Sequence, residues 1–415
     1  MSNDRWTIDV SNPSPYERSD HVQVELEKLG VDPSFNEEHL KLSRKNKDGS
    51  LTEVPYQIDY PEGKEPLRGI LSFRSERTPP GLDDYSQTGA TFLLEKGAPT
   101  LFRGPGELSV WHYYELAAGG EPPDGFNEKW DKIRKAYGVK LRNDSFDFYV
   151  SLVPHPRFPT TVDYTGSVTN VRHHEAEWRT GAGEVLCPWG QCPDKRWGQL
   201  TRLEFFPLPW ESEESRSLSL LGQGYELVWS RSGPIRAMVA LKSQPFTIRY
   251  DGAPFFKPSQ VEVRCNLYRV LSVYPKEACY VEELFVLAGD GTSISFRPYF
   301  LSVVHHPEAV QITCARFEHI PDYFAVWKHF AGLHFGYGFA ADSHARGLET
   351  KGNQIVWRLG LSHRATSVHA FMFHGWGERV DPFHWIGHHG WYEKVYKPLR
   401  TFPLQHGYAP VQGRS

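Results

Sequence analysis

The strongest constraint on how this chain folds is a period of two. Apolar and polar residues alternate in segment after segment, a spacing that turns successive side chains to opposite faces of a strand. HVQVEL (21–26) places Val22, Val24 and Leu26 on one face. VEVRCNLYRV (261–270) sets Val261, Val263, Cys265 and Leu267 against Glu262, Arg264, Asn266 and Tyr268. YELVWS, RSGP and IRAMVALK (225–242) read as two strands joined by a tight Gly-Pro turn. Further strands are expected at 146–153, 280–289, 294–304, 310–317, 354–361 and 366–373. Helical spacing is scarce. NEKWDKIRKAY (127–137) gathers Trp130, Ile133 and Tyr137 on one side, with Asn127 as its cap, and HHGWYEKVYKPL (388–399) fits a short terminal helix. Gly- and Pro-rich breaks fall at 77–82, 103–107 and 117–125. The expectation is a mostly β chain in three parts. They are a small β domain over 1–105, a connector with one helix over 106–145, and a large antiparallel β domain over 146–415.

Composition narrows the function classes. The 415 residues exceed one small domain, and 40% hydrophobic with 14% aromatic residues supply a substantial core. Forty-six basic against 50 acidic residues leave a formal charge of −4, so no broad electrostatic footprint for nucleic acid or an anionic membrane is expected. No run of eighteen apolar residues is present. The opening MSNDRWTIDVSNPSP has no apolar signal core, which leaves export open. Five cysteines, an odd number, argue against a disulfide framework. Cys265 reads as a small buried hydrophobe, while Cys187 and Cys192 fit free thiols, a local disulfide or a zinc-binding pair. Dinucleotide and P-loop glycine patterns, the G-x-S-x-G elbow and HEXXH are all absent.

One segment concentrates chemistry. HAFMFHGWGERVDPFHWIGHHGWYEK (369–394) carries five histidines and four tryptophan or tyrosine residues. It suits a metal site, a sugar-stacking wall or a packed aromatic segment. His369 shares its strand face with Phe371 and Phe373, which reads as a core histidine. Gly387 and Gly390 work against a helix that would bring His384 and His388 together. A structural zinc would want four converging ligands. The expectation is a segment that closes the sandwich of the large domain and lends a tryptophan, Trp385, or a histidine to the cleft rim, without a tightly bound metal and with no other cofactor.

Two motifs resemble a known group. VSNPSPYERSDHVQVELEKL followed by VPYQIDY (54–60) is similar to the small N-terminal barrel of exo-acting rhamnogalacturonan-lyase-like proteins. GYELVWSRSGPIRAMVAL (224–241), with the alternating strand after it, resembles their galactose-mutarotase-like β-sandwich. The resemblance implies a small N-terminal β-barrel followed by a large, supersandwich-like antiparallel β-sandwich that handles sugars. Those lyases also carry a long C-terminal helical toroid, for which this chain has too few helical patterns.

Cleavage of a uronate by β-elimination needs a base for the C5 proton, a cation for the carboxylate and an acid for the leaving oxygen. Histidine and tyrosine suit the proton steps, and the arginine fork suits the carboxylate. NVRHHEAEWR (170–179) concentrates these types, and alternation puts Arg172 and His174 on one face, opposite His173. His174, Tyr225 and Tyr299 are therefore the expected catalytic residues, and Arg172, Arg236, His173 and Trp385 the substrate-binding ones. Arg236 could equally bridge to Glu226. The expected partner is an oligo- or polysaccharide, and the oligomeric state stays open. Elimination on a uronate-containing glycan is the leading function. A glycoside hydrolase or sugar epimerase using paired carboxylates or a His/Glu pair is the alternative, with a non-catalytic carbohydrate-binding protein as a third class.

Overall fold

The computed structural model describes residues 5–32, 37–59, 69–81, 89–101, 109–113, 138–152, 168–174, 199–205, 217–219, 225–252 and 259–277. It also describes 279–288, 299–304, 323–330, 333–341, 348–351, 354–359, 364–374 and 399–402. The chain divides into two compact units. One comprises Met1–Pro105, Gly233–Ile235 and Tyr396–Ser415, and the other Gly106–Ser232 and Arg236–Val395.

The first unit opens with β1 (Arg5–Ser11), β2 (Arg18–Glu25), β3 (Leu40–Lys45), β4 (Leu51–Glu53), β5 (Tyr56–Asp59), β6 (Ile70–Thr78) and β7 (Ala90–Lys96). Alternation does the work expected of it. Ile8, Val10, Val22, Val24, Leu40, Leu42, Leu71, Phe73, Phe92 and Leu94 all point into one core. Each such side chain removed from water contributes roughly 1.5–3 kcal/mol. The strands form two antiparallel sheets, one with β7 between β1 and β3, the other with β6 between β2 and β5. The Phe73 and Phe92 rings meet between them, centroids 4.7 Å apart. Among the described residues no barrel closes, which corrects the expected N-terminal barrel. The sheets face one another through side chains, and no backbone ladder among the described strands links β2 or β5 to the other sheet.

In the second unit the first six strands are β8 (Ser109–Tyr113), β9 (Gly138–Arg142), β10 (Phe146–Ser151), β11 (Val168–His173), β12 (Gln199–Phe205) and β13 (Ser217–Ser219). Next come β14 (Tyr225–Ser232), β15 (Ala237–Ser243), β16 (Phe246–Gly252), β17 (Ser259–Val273), β18 (Cys279–Ala288) and β19 (Tyr299–Val304). The last are β20 (Tyr323–Phe330), β21 (Leu333–Ala341), β22 (Leu348–Lys351), β23 (Gln354–Leu359) and β24 (Arg364–His374). A final strand, β25 (Arg400–Phe402), pairs with β1 and so belongs to the first unit.

Strands β8 to β11 form a four-stranded antiparallel meander, and β13-β12-β19-β23-β22 a five-stranded sheet. The largest sheet runs β14-β15-β17-β18-β24-β21-β20, with β16 also on β17. This is the mostly β, antiparallel architecture that the alternation implies. Val139, Leu141, Phe146, Phe148 and Val150 make the apolar face of the meander and are essentially buried. Phe148 meets Tyr280 of β18 edge to face, centroids 5.4 Å apart, so the meander and the largest sheet pack as a sandwich. Cys265 is fully buried and outside any disulfide, as its strand position implies. The central part of β17 departs from simple alternation: Asn266, Val270 and Ser272 are buried along with Cys265, Leu267 and Arg269. Segments 127–137, 310–317 and 388–398, with Cys187 and Cys192, lie outside the described residues.

Candidate functional site

The polar face of the meander starts from a hairpin. In GVKLRNDSFDFYVS (138–151), Val139 and Leu141 with Phe146, Phe148 and Val150 take the core side. The same alternation leaves Lys140, Arg142 and Asp147 on the opposite side. Asn143 builds the turn: its Oδ1 accepts the Ser145 and Phe146 N–H groups, each at 2.9 Å. Its Nδ2 donates to the Tyr274 and Glu277 carbonyls at 3.0 and 2.6 Å, and Asp144 Oδ2 accepts the Lys276 N–H at 2.8 Å. The β9–β10 turn is thereby fastened to the β17–β18 turn.

Asp147 is the centre of the site. It stands directly opposite Arg142 on β9 and Arg172 on β11. Its Oδ1 lies 3.6 Å from Arg142 Nε and 3.1 Å from His174 Nε2, and its Oδ2 lies 3.8 Å from Lys140 Nζ. The carboxylate is 9% exposed, the His174 ring 24% and the Arg142 side chain 42%, so solvent reaches the cluster from one side. His174 is held at three points. Its main-chain N–H donates to the Ser145 carbonyl at 2.9 Å, and its ring Nδ1 lies 3.0 Å from the Asp144 carbonyl oxygen. Its Nε2 faces the Asp147 carboxylate. Both ring nitrogens thus face oxygen atoms, which fixes the plane of the ring.

The largest sheet holds charge of a different kind. Glu282 and Glu283 are neighbours in β18 and so point to opposite faces. Arg269 Nε donates to Glu282 Oε1 at 2.6 Å, both side chains being essentially buried. The Arg269 guanidinium also lies over the Tyr225 ring, 5.6 Å from its centroid. Burial alone would push Arg269 down; the Glu282 carboxylate, with Tyr225 and Tyr280, more than offsets this and holds its pKa above the ordinary arginine value. On the other face Arg236 Nη1 lies 3.3 Å from Ser272 Oγ and 3.8 Å from Glu283 Oε2. The acidic partner of Arg236 is therefore Glu283, while Glu226 sits opposite Lys242.

The sequence-derived candidates fall in separate places. Arg172 and His173 close β11 at the register positions opposite Asp147 and Phe146, and His174 follows them. Tyr225 opens β14, buried beneath Arg269, and Arg236 precedes β15 and is 1% exposed. Tyr299 opens β19 in the five-stranded sheet, opposite Phe205 and Leu359. Of these candidates, the meander brings together Arg172, His173 and His174. His369 lies opposite Tyr280 and Phe339 in the register of β24. Trp385, His384 and His388 lie outside the described residues. Among the described residues no group of three or more metal-ligating side chains converges.

Sequence reading passed over Lys140, Arg142 and Asp147. The signal was present: VKLR and FDFYV alternate on either side of an Asn-Asp-Ser turn. The expected boundary at residue 145 falls inside that hairpin and separates its two polar rows.

No family model matches the chain, and no curated protein matches it. Solved structures give distant likenesses. One is an alpha-mannosidase from Enterococcus faecalis V583, with a TM-score of 0.45 and 11% identity over 97% of this chain and 46% of that one. Another is a protein in the glycosyl hydrolase family 38 from Enterococcus faecalis, with a TM-score of 0.44 and 10% identity over 97% and 47%. A third is 4-alpha-glucanotransferase from Thermococcus litoralis, with a TM-score of 0.27 and 9% identity over 56% and 37%. The chain spans less than half the length of each. Likenesses this distant fix neither the fold nor the activity of this chain.

Proposed function

We propose that this chain is a carbohydrate-active enzyme that hydrolyses a glycosidic bond, with His174 and Asp147 as its proton-handling pair. One observation carries the reading: a histidine ring 3.1 Å from a carboxylate on a part-exposed sheet face, with Lys140 and Arg142 beside that carboxylate. The similarity of the VPYQID and GPIRA segments to sugar-handling proteins supports a saccharide as the substrate. Elimination would require a base for a carbon-bound proton. Hydrolysis instead needs a proton for the leaving glycosidic oxygen, a step for which a histidine beside a carboxylate is suited. His174 is accordingly assigned as acid, oriented by Asp147. Arg172, opposite Asp147 in register, stays with the substrate-binding role.

The test is incubation with a panel of neutral and uronate-containing polysaccharides. New reducing ends without unsaturated-uronate absorbance are expected. That absorbance would replace hydrolysis by elimination, binding without cleavage would make this a carbohydrate-binding protein, and interconversion of free sugars would make it an epimerase. His174→Ala is expected to lower turnover by roughly two to four orders of magnitude, with the thermal transition in place. A variant as active as the parent removes His174 from the mechanism.

A further inference from the structure

We infer that Asn143 is an N-glycosylation acceptor open only before the chain folds, so that the modification and the native β9–β10 turn exclude one another. The inference is independent of the saccharide-cleaving reading above.

The motif stands in the sequence. Asn143-Asp144-Ser145 is the one Asn-x-Ser/Thr triplet of the chain whose middle residue is not proline; Asn12-Pro13-Ser14 is blocked by its proline. Such a triplet ordinarily marks a surface loop, because the acceptor amide has to reach the transferase. Here the triplet does reach the surface, Asp144 being exposed and Ser145 half-buried, but the amide is turned inward. Asn143 is 0% exposed. Its Nδ2 donates to the Tyr274 carbonyl at 3.0 Å and the Glu277 carbonyl at 2.6 Å, so both of its hydrogens are in use. Its Oδ1 holds the Ser145 and Phe146 N–H groups, each at 2.9 Å. The amide therefore cannot swing outward without undoing the turn.

The chemistry makes the conflict. Transfer of an oligosaccharide from a lipid pyrophosphate carrier joins Asn143 Nδ2 to the anomeric carbon of the first sugar. The bond from that carbon to the pyrophosphate oxygen breaks, and Nδ2 gives up one proton. The product amide keeps one N–H for two carbonyls, and a sugar ring has to stand where one of those carbonyls lies. A buried acceptor would lose its donor, and the β9–β10 turn its fastening to the β17–β18 turn. His174, whose Nδ1 rests on the Asp144 carbonyl, would lose that seat as well.

Chain order decides which event comes first. Tyr274 and Glu277 follow Asn143 by 131 and 134 residues. At ordinary rates of synthesis they emerge on the order of ten seconds after it. For that interval the amide has none of its native partners from the β17–β18 turn. A chain made where the transferase and its donor are present thus meets the modification before the fold.

The experiment is cell-free translation of the full chain behind a cleavable secretory signal, with microsomes that hold or lack the lipid-linked donor. Glycan is read as a mobility shift reversed by endoglycosidase, and folding as resistance to a brief protease pulse. With donor, the parent is expected to divide into a resistant unmodified fraction and a glycan-bearing one digested about tenfold faster or more. Ser145→Ala removes the triplet and keeps the Asn143 bonds, because Ser145 contributes its main-chain N–H to them. It should stay unmodified and resistant. The parent in donor-free microsomes makes the same comparison without a substitution. Folded parent presented afterwards to solubilised transferase and donor should take no glycan. Glycan-bearing parent as resistant as the unmodified chain, or glycan added to the folded protein, overturns the exclusion. A nascent parent chain that takes no glycan overturns the early opening.

Discussion

Gly233 shows how one missing methyl group sets a local structure. A Cβ built there would lie 2.3 Å from Gln57 Oε1 and 2.7 Å from Gln57 Cδ. Gln57 cannot simply withdraw. It is fully buried, its Oε1 accepts the Ile235 N–H at 2.9 Å, and its Nε2 donates to Asp59 Oδ1 at 2.8 Å. Gly233→Ala should therefore cost about 2–4 kcal/mol in urea unfolding. In a Gln57→Ala background, where the clash is gone, the same change should cost much less. Equal losses in both backgrounds would assign the cost elsewhere. Cys265 gives a second residue-scale prediction. Burial pushes its thiol from 9.0 up to about 11. Above pH 9 the unfolded chain releases that proton and the folded chain keeps it, so the contribution is full below pH 9 and lost as pH rises through 11. Stability of the parent should fall more steeply over that range than stability of Cys265→Ala, and native protein should resist thiol reagents at pH 8.

At the scale of elements, the β9–β10 hairpin depends on a neighbour far along the chain. Its turn is fastened by Asn143 to the carbonyls of Tyr274 and Glu277 and by Asp144 to the Lys276 N–H. Lys276 itself takes a left-handed backbone, φ 59°. Asn143→Ala would strip four hydrogen bonds from a buried turn and should cost about 2–4 kcal/mol. Because His174 Nδ1 rests on the Asp144 carbonyl of that turn, turnover should fall as well, even at temperatures where the variant remains folded. Full activity in a destabilised Asn143→Ala would separate the turn from the site. A second element-scale feature is β17, 15 residues long, which pairs first with β16 and then with β15 along one edge. Its alternation was readable. Its double burial was not, because the polar Asn266 and Ser272 read as a solvent face and yet are buried.

Across the whole molecule, the first unit is completed by residues from both chain ends. β25 pairs with β1 through Asp9–Phe402, Val10–Thr401 and Ser11–Arg400, and Leu399 joins the buried core. Ending the chain after Val395 should expose the β1 edge and remove an apolar contact from that core. The expected result is a lower thermal transition and faster amide exchange in β1, with β17 and β18 far less affected. Unchanged exchange in β1 would mean that β25 is dispensable.

The sequence by itself determined the strands. Side-chain direction along a strand has a period of two, so HVQVEL, YELVWS–IRAMVALK and VEVRCNLYRV declared their elements and, in the first unit, their buried faces. It also placed Arg172 and His174 on a segment that proves to border Asp147. What it could not determine was partnership between strands. Pairing across sequence gaps depends on which chain segments meet, and alternation is the same whatever the neighbour. So the tertiary structure alone decided that β25 returns to β1, that two sheets face each other where a barrel was expected, and that Arg236 meets Glu283. It alone gathered Lys140, Arg142 and His174 around Asp147, because a charge shows its role through the charges beside it.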